Sequence, residues 1–266
     1  MAVTTQFLVP VDPRAIAITS VTSEATGHPI EFAFDRNLNT YWAASSTATQ
    51  ELILDLGSAF AIDSLVLFIR NYTTTAGVYA DIVVEYSDNG TSWTQFTQLE
   101  TALASTYTVG TPLVIKQHTS AQTHRYWRLT FYFFNPVMQI AHLWLCRTKT
   151  ISVPNTRPEN DKRIYGSRVV HGPGGRENRA PINMLPVFER SRTWLTASSA
   201  DLQALQDVVD LCGGRENLFI HKPAGGTAEV VELRDKRFSP GRVLYGLWKP
   251  TITFRTWPYI EAGEAF

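Results

Sequence analysis

Apolar and polar residues alternate with a period of two along most of the first 150 positions, the spacing of strands with one buried face. Glu51-Leu-Ile-Leu-Asp-Leu-Gly57 alternates and ends on a turn residue, and Asp63 to Arg70 is a buried run rich in branched side chains. Asp81-Ile-Val-Val-Glu-Tyr-Ser87 alternates and then meets Asp88-Asn89-Gly90, where Asn and Gly tolerate positive φ, so a hairpin is predicted. Arg125 to Phe131 and His142 to Arg147 supply two further strands, and no long stretch between Ala15 and Thr148 has helical period. This part of the chain is expected to be an all-β sandwich over residues 15–148, preceded by an N-terminal arm at 1–14.

Residues 149–162 are polar, carry two prolines and lack periodicity, so they are expected to link two domains. Beyond them the pattern changes. Strands are predicted for Ile164 to His171, within Ile182 to Leu195, and over Asn217 to His221, Ala228 to Arg237 and Arg242 to Trp257. Residues 198–212 have the 3.6-residue period of a helix, with Leu202, Leu205, Val208 or Val209, and Cys212 on one face. Ser198 or Ser199 can cap it, Asp201 suits its first turn, and Gly213-Gly214 stops it. The fold class is therefore mainly β: a jelly-roll sandwich followed by a smaller β-rich α+β domain with one helix, 163–257, and a tail at 258–266.

Charge and cysteine usage narrow the function. The 24 basic residues equal the 24 acidic ones, so no overall field draws in nucleic acid. Residues 1–150 hold 8 basic against 11 acidic residues and residues 151–266 hold 16 against 13, a mild −3/+3 asymmetry that suits subunit contacts. Two cysteines, Cys146 and Cys212, do not make a disulfide scaffold; two buried thiols is the favoured reading, with pairing left open. The N-terminus lacks the basic start and apolar core of a signal peptide, and no stretch approaches about 20 apolar residues, so no membrane span is expected.

Four segments carry a resemblance. Ala33-Phe-Asp-Arg-Asn-Leu-Asn-Thr-Tyr-Trp42, Leu52-Ile-Leu-Asp-Leu-Gly57, Val84-Glu-Tyr-Ser-Asp-Asn-Gly-Thr-Ser-Trp93 and Arg125-Tyr-Trp-Arg-Leu129 stand in the order and spacing of signature segments of one family. Over about 130 residues, a span read from these spacings rather than measured, the first half resembles the discoidin, or coagulation factor 5/8 type C, family. The resemblance implies a galactose-binding-like jelly roll whose loops at one end bind glycans, lipid head groups or proteins. The Ser-Ala-Asp-Leu-Gln-Ala-Leu helix start, the Gly-Gly stop and Leu-Phe-Ile-His-Lys-Pro resemble tail-tip domains of long-tailed phages, which pack subunits into a ring.

No His-Glu-x-x-His, Gly-x-Ser-x-Gly, phosphate loop or Cys-x-x-Cys occurs, so the chain is not expected to be an enzyme and no cofactor is required. In glycan-binding members of the family, the loop that resembles Asp35, Asn37 and Thr40 holds a structural calcium through hard oxygen ligands. Arg36 stands where the family has Gly, and no carboxylate stands near Ala141-His142, where its late acidic ligand falls. The alternative is an Asx-type turn in which Asp35 caps backbone amides. Trp42 and Trp93 match core positions of the family. Loop residues with the chemistry of a sugar site are His28, Arg70, Asn71, Tyr72, Phe134 and Asn135: aromatic faces for C–H groups, and Arg and Asn to fork hydrogen bonds to hydroxyls. The alternative is that Phe133 or Phe134 packs inward and Arg70 is a solvated strand end. Arg168, Arg176, Arg179, Arg190, Arg192 and Trp194 are candidates for a subunit interface, with Glu177 and Glu189 interspersed.

Together these features lead to two expectations. The first is a phage-type tail-tip or baseplate component, a homo-oligomeric ring that contacts other tail proteins, assembles in the host cytoplasm, and presents the sandwich to cell-surface glycan. The second is a free-standing carbohydrate-binding lectin or adhesin.

Overall fold

The computed structural model describes residues 4–35, 40–70, 82–96, 113–132, 137–152, 161–164, 167–171, 177–181, 187–193, 198–211, 218–222, 228–233, 241–244 and 247–256. They fall into two compact units, one spanning Pro10–Thr148 and the other joining Met1–Val9 to Lys149–Tyr259. The chain enters with β1 (Thr5–Pro10), which belongs to the second unit.

The first unit is an antiparallel β-sandwich. Its strands are β2 (Ala17–Val21), β3 (Trp42–Ala43), β4 (Gln50–Ile69), β5 (Ile82–Ser87), β6 (Thr94–Gln95), β7 (Leu113–Phe131) and the greater part of β8 (Gln139–Ile151). The two segments predicted at 51–57 and 63–70 are one strand, because β4 stays paired with β7 from Gln50↔Phe131 to Phe68↔Leu113. The pairing slips between Asp55 and Phe60, where Gly57 takes a φ of 72° and donates its N–H to Asp55 Oδ1 at 2.8 Å. A bulge of this kind bends the strand and increases its twist. Leu52, Leu54, Val84, Trp127 and Leu129 before the bend share one core with Leu65, Leu67, Ile69, Leu143 and Leu145 beyond it. The two halves of the long strands therefore face each other as layers.

Aromatic rings lock that core. Trp42 and Trp127 are fully buried; Trp42 meets Phe131 edge-on at 5.9 Å and Trp127 meets Phe96 edge-on at 5.6 Å. Trp93 departs from expectation: it is only half-buried, and the Arg128 guanidinium lies 4.7 Å from its ring centroid. Arg128 is held there by Glu85 at 2.6 Å, and Arg125 grips Asp55 through two 2.7 Å bonds. Those two bonds, with the Arg125 charge, hold the Asp55 carboxyl below its ordinary range. The turn at 88–90 forms as predicted, and Gly90 takes a positive φ of 71°. Ser87 Oγ accepts the N–H groups of Asn89 and Gly90, and Asn89 Oδ1 accepts those of Thr91 and Ser92. A Cβ on Gly90 would sit 3.5 Å from the Tyr126 ring. Cys146 is a buried free thiol, and burial raises its pKa; Cys212 lies outside the described residues.

The second unit contains β9 (Asp161–Ile164), β10 (Ser167–His171), β11 (Glu177–Pro181), β12 (Val187–Thr193), α1 (Ser199–Leu211), β13 (Leu218–Lys222), β14 (Glu229–Leu233), β15 (Gly241–Leu244), β16 (Leu247–Lys249) and β17 (Thr251–Thr256). Its main sheet runs β1-β13-β14-β17-β12-β9, all antiparallel, while β10–β11 and β15–β16 are separate hairpins. Helix α1 buries Leu205, Val208 and Val209 against Phe7, Val9, Phe219, Val231 and Ile252. Ser198 caps it, its Oγ accepting the Asp201 N–H at 3.3 Å.

Two boundaries differ from the sequence expectation. Residues 1–14 were expected as an arm, yet β1 pairs Gln6, Phe7 and Leu8 with Lys222, His221 and Ile220, because Phe7 and Val9 need a buried face. The expected linker at 149–162 begins inside β8 and ends inside β9. Its first residues are held by α1: Lys149 pairs with Asp207, and buried Asp201 accepts Ser152 N–H at 2.9 Å and Ser152 Oγ–H at 2.6 Å. Asp201→Ala removes those bonds and the favourable charge at the helix N-terminus. A loss of about 1–2 kcal/mol is expected, read from the denaturant midpoint. An unchanged midpoint would show that the Ser152–Asp201 contact contributes nothing.

Candidate functional site

The Thr22–Pro29 loop, β3 and the ends of β4 and β8 meet through backbone bonds. Ala25 N–H donates to Ala43 O and Ala43 N–H to His28 O, so the loop flanks β3 on one side. On the other side Trp42 and Ala43 pair with Ile140 and Gln139 of β8, and Arg70 N–H donates to Gln139 O. The order across the surface is thus the His28 loop, β3, β8 and the end of β4. Ser23 fastens the loop: its carbonyl accepts Trp42 Nε1–H at 3.2 Å, and its Oγ donates to Gln50 Oε1 at 2.6 Å and accepts Ser45 N–H. Gly27, at φ 81°, makes the turn that brings His28 back to Ala25.

That scaffold brings three side chains together. The His28 ring stacks on Tyr41, with centroids 4.1 Å apart and planes 22° apart, and the Arg70 guanidinium lies 4.7 Å from the Tyr41 centroid. His28 and Arg70, picked from the sequence as glycan contacts, are thus joined by a residue the sequence reading missed. The signal in the sequence was the aromatic ring itself, next to Trp42 in a segment that resembles the family's. Asn71, Tyr72, Phe134 and Asn135 lie outside the described residues. The chain after 136 returns beside β3, where Met138 O accepts Ala44 N–H. The cluster offers imidazole and guanidinium N–H donors beside an aromatic ring, the donor set that hydroxyl-rich ligands require.

The loop expected to hold calcium carries a side-chain bond of its own. Thr40 Oγ1 donates to Asp35 Oδ2 at 2.6 Å, and Asp35 is the only carboxylate of that loop; Asn37 lies outside the described residues. His142 is fully buried between an edge-on Phe68 and a stacked Trp144. Neither of its ring nitrogens has a hydrogen-bond partner among the described residues; the Ala33 carbonyl is close but outside bonding geometry.

In the second unit, Arg168 stands opposite Ala180 and Arg179 opposite Val169 in the register of the β10–β11 hairpin. Arg190 and Arg192 stand opposite Phe254 and Ile252 in the β12–β17 register. Arg176 and Trp194 lie outside the described residues.

Residues 17–132 match the model of the F5/8 type C domain, and the N-terminal half carries a domain of that family. Among solved structures, a family 32 carbohydrate-binding module of Clostridium perfringens NanJ in complex with galactose is similar at 20% identity and a TM-score of 0.43, covering 53% of this chain and 99% of that one. A second Clostridium perfringens module, in complex with GalNAc-β-1,3-galactose, is 16% identical at 0.42, covering 51% and 98%. The C-terminal domain of a Bacteroides fragilis chitobiase is 20% identical at 0.42, covering 53% and 99%. No curated protein matches the chain. The resemblance of the C-terminal half to phage tail-tip domains finds no support.

Burial pushes the His142 imidazole down to about 4, against the opposing pull of the Asp35 carboxylate and the Ala33 carbonyl. The folded state keeps the ring neutral while the unfolded chain takes up a proton near 6.5, so stability is complete above that pH. It falls as pH drops toward 4, by about 3 kcal/mol in all. His142→Phe is expected to flatten the wild-type slope of unfolding free energy between these two pH values. Parallel slopes in the two proteins would show that His142 does not set the acid sensitivity.

Proposed function

We propose that the chain is a glycan-binding protein without turnover, of the lectin or adhesin type, whose F5/8 type C domain holds a carbohydrate at the His28–Tyr41–Arg70 end of the sandwich. The observation that carries this reading is the meeting of His28 and Arg70 on one aromatic ring. Each comes from a different loop or strand end, and both are fixed by backbone bonds to β3 and β8. Planar guanidinium and imidazole groups held at fixed positions recognise pairs of sugar hydroxyls with little ordering cost on binding. The tail-tip reading rested on the helix and its flanking strands. The helix forms, but an amphipathic helix of 13 residues packed on a sheet serves many folds and does not single out that role.

The test is a glycan microarray probed with the full chain, including galactose- and N-acetylgalactosamine-terminated structures, followed by calorimetry on the best ligand. Arg70→Ala and His28→Ala are each expected to weaken binding about tenfold or more while leaving the melting temperature in place. Absence of binding across the array would refute the proposal.

A further inference from the structure

We infer that Tyr41 is the positioning residue of this site: it does not stack on the sugar but fixes where His28 and Arg70 present their donors. The inference rests on the glycan-binding reading above and deepens it.

Three observations support it. In the backbone order across the surface, β3 lies between the His28 loop and the β8–β4 edge that carries Arg70. Tyr41, the residue just before β3, therefore has His28 and Arg70 on opposite flanks. Next, the aromatic ring is already engaged, with His28 at 4.1 Å and the Arg70 guanidinium at 4.7 Å. A pyranose stacks at a similar distance from an aromatic face, so the groups already on Tyr41 take the place a sugar would need. Finally, the ring stands on a rigid base. Trp42 is fully buried, edge-on to Phe131, and bonded through Nε1 to the Ser23 carbonyl. On the other side, Thr40 is bonded to Asp35.

The consequence is chemical. A guanidinium held over an aromatic ring is stabilised there, which narrows the directions in which its N–H groups can donate. An exposed arginine without such a support samples many rotamers, and ligand binding must then order it. The stacked imidazole is confined in the same way. Tyr41 thus acts on ligand through His28 and Arg70, and its π-face matters more than its hydroxyl.

The test compares wild type with Tyr41→Phe, Tyr41→Ala, Tyr41→Leu and Arg70→Ala on the same glycan microarray, with melting temperatures and the His28 ring-proton NMR shift measured in parallel. Tyr41→Phe is expected to bind within about twofold of wild type and to keep the upfield His28 shift that stacking produces. Tyr41→Ala and Tyr41→Leu are expected to lose the upfield shift and about tenfold or more in binding, like Arg70→Ala. Leu fills the space without a π-face, so it keeps the test valid if the Ala variant fails to fold. Wild-type binding by both Tyr41→Ala and Tyr41→Leu, with Arg70→Ala impaired, would overturn the inference and leave the glycan site standing. Loss of binding in Tyr41→Phe equal to that in Tyr41→Ala would overturn it too, since the hydroxyl would then contact ligand directly. A wild type that binds no glycan would remove the functional reading and this inference with it.

Discussion

The pairing of β4 with β7 is the constraint on which the first unit depends. Two strands of about twenty residues stay antiparallel along their whole length, yet a flat ribbon of that size could not enclose a core. The slip beside Gly57 lets them fold over, so that leucines from both halves meet in one apolar interior. β5 then pairs with the part of β7 nearest Phe131, and β8 with the part of β4 nearest Ile69. Once those edges are placed, β3 has one place to go, against the start of β8. The geometry around Tyr41 is thus a late consequence of a bend more than ten residues away in sequence.

That dependence explains the division of labour among the aromatic and basic residues. Trp42, Trp127, Phe96 and Phe131 fill the interior, where large flat rings contribute most to stability. Arg125 and Arg128 are committed to Asp55 and Glu85 on the same domain, so their charge is already satisfied. The family's signature segments are mostly made of such structural residues. His28 and Arg70 lie instead in a loop and at a strand end, where side chains are less constrained by packing.

The strand pattern was legible because one-sided burial forces alternation, and the helix was legible because Leu205, Val208 and Val209 repeat at its period. Three features escaped. β4 read as two strands because the bulge interrupts alternation without ending the pairing. β1 was hidden because six residues at the chain's start have no periodic context, and their partner lies more than two hundred residues on. Tyr41 was passed over because it adjoins a family tryptophan, and the meeting of His28 and Arg70, 42 positions apart, on one ring is a property of tertiary structure. His142 also went unread as a buried titratable group, since a histidine in an apolar run resembles any other half-polar strand residue.

Strand β1 gives the chain an unusual order of assembly. It precedes the sandwich in the chain, but the strand it pairs with, Leu218–Lys222, follows the sandwich. The intervening sandwich has all its partners by Thr148 and can condense while synthesis continues. During that interval Phe7 and Val9 have no apolar surface of their own unit to cover them. Removing Thr5–Val9 would therefore leave the N-terminal domain whole and take from the C-terminal one the strand that pairs with Leu218–Lys222.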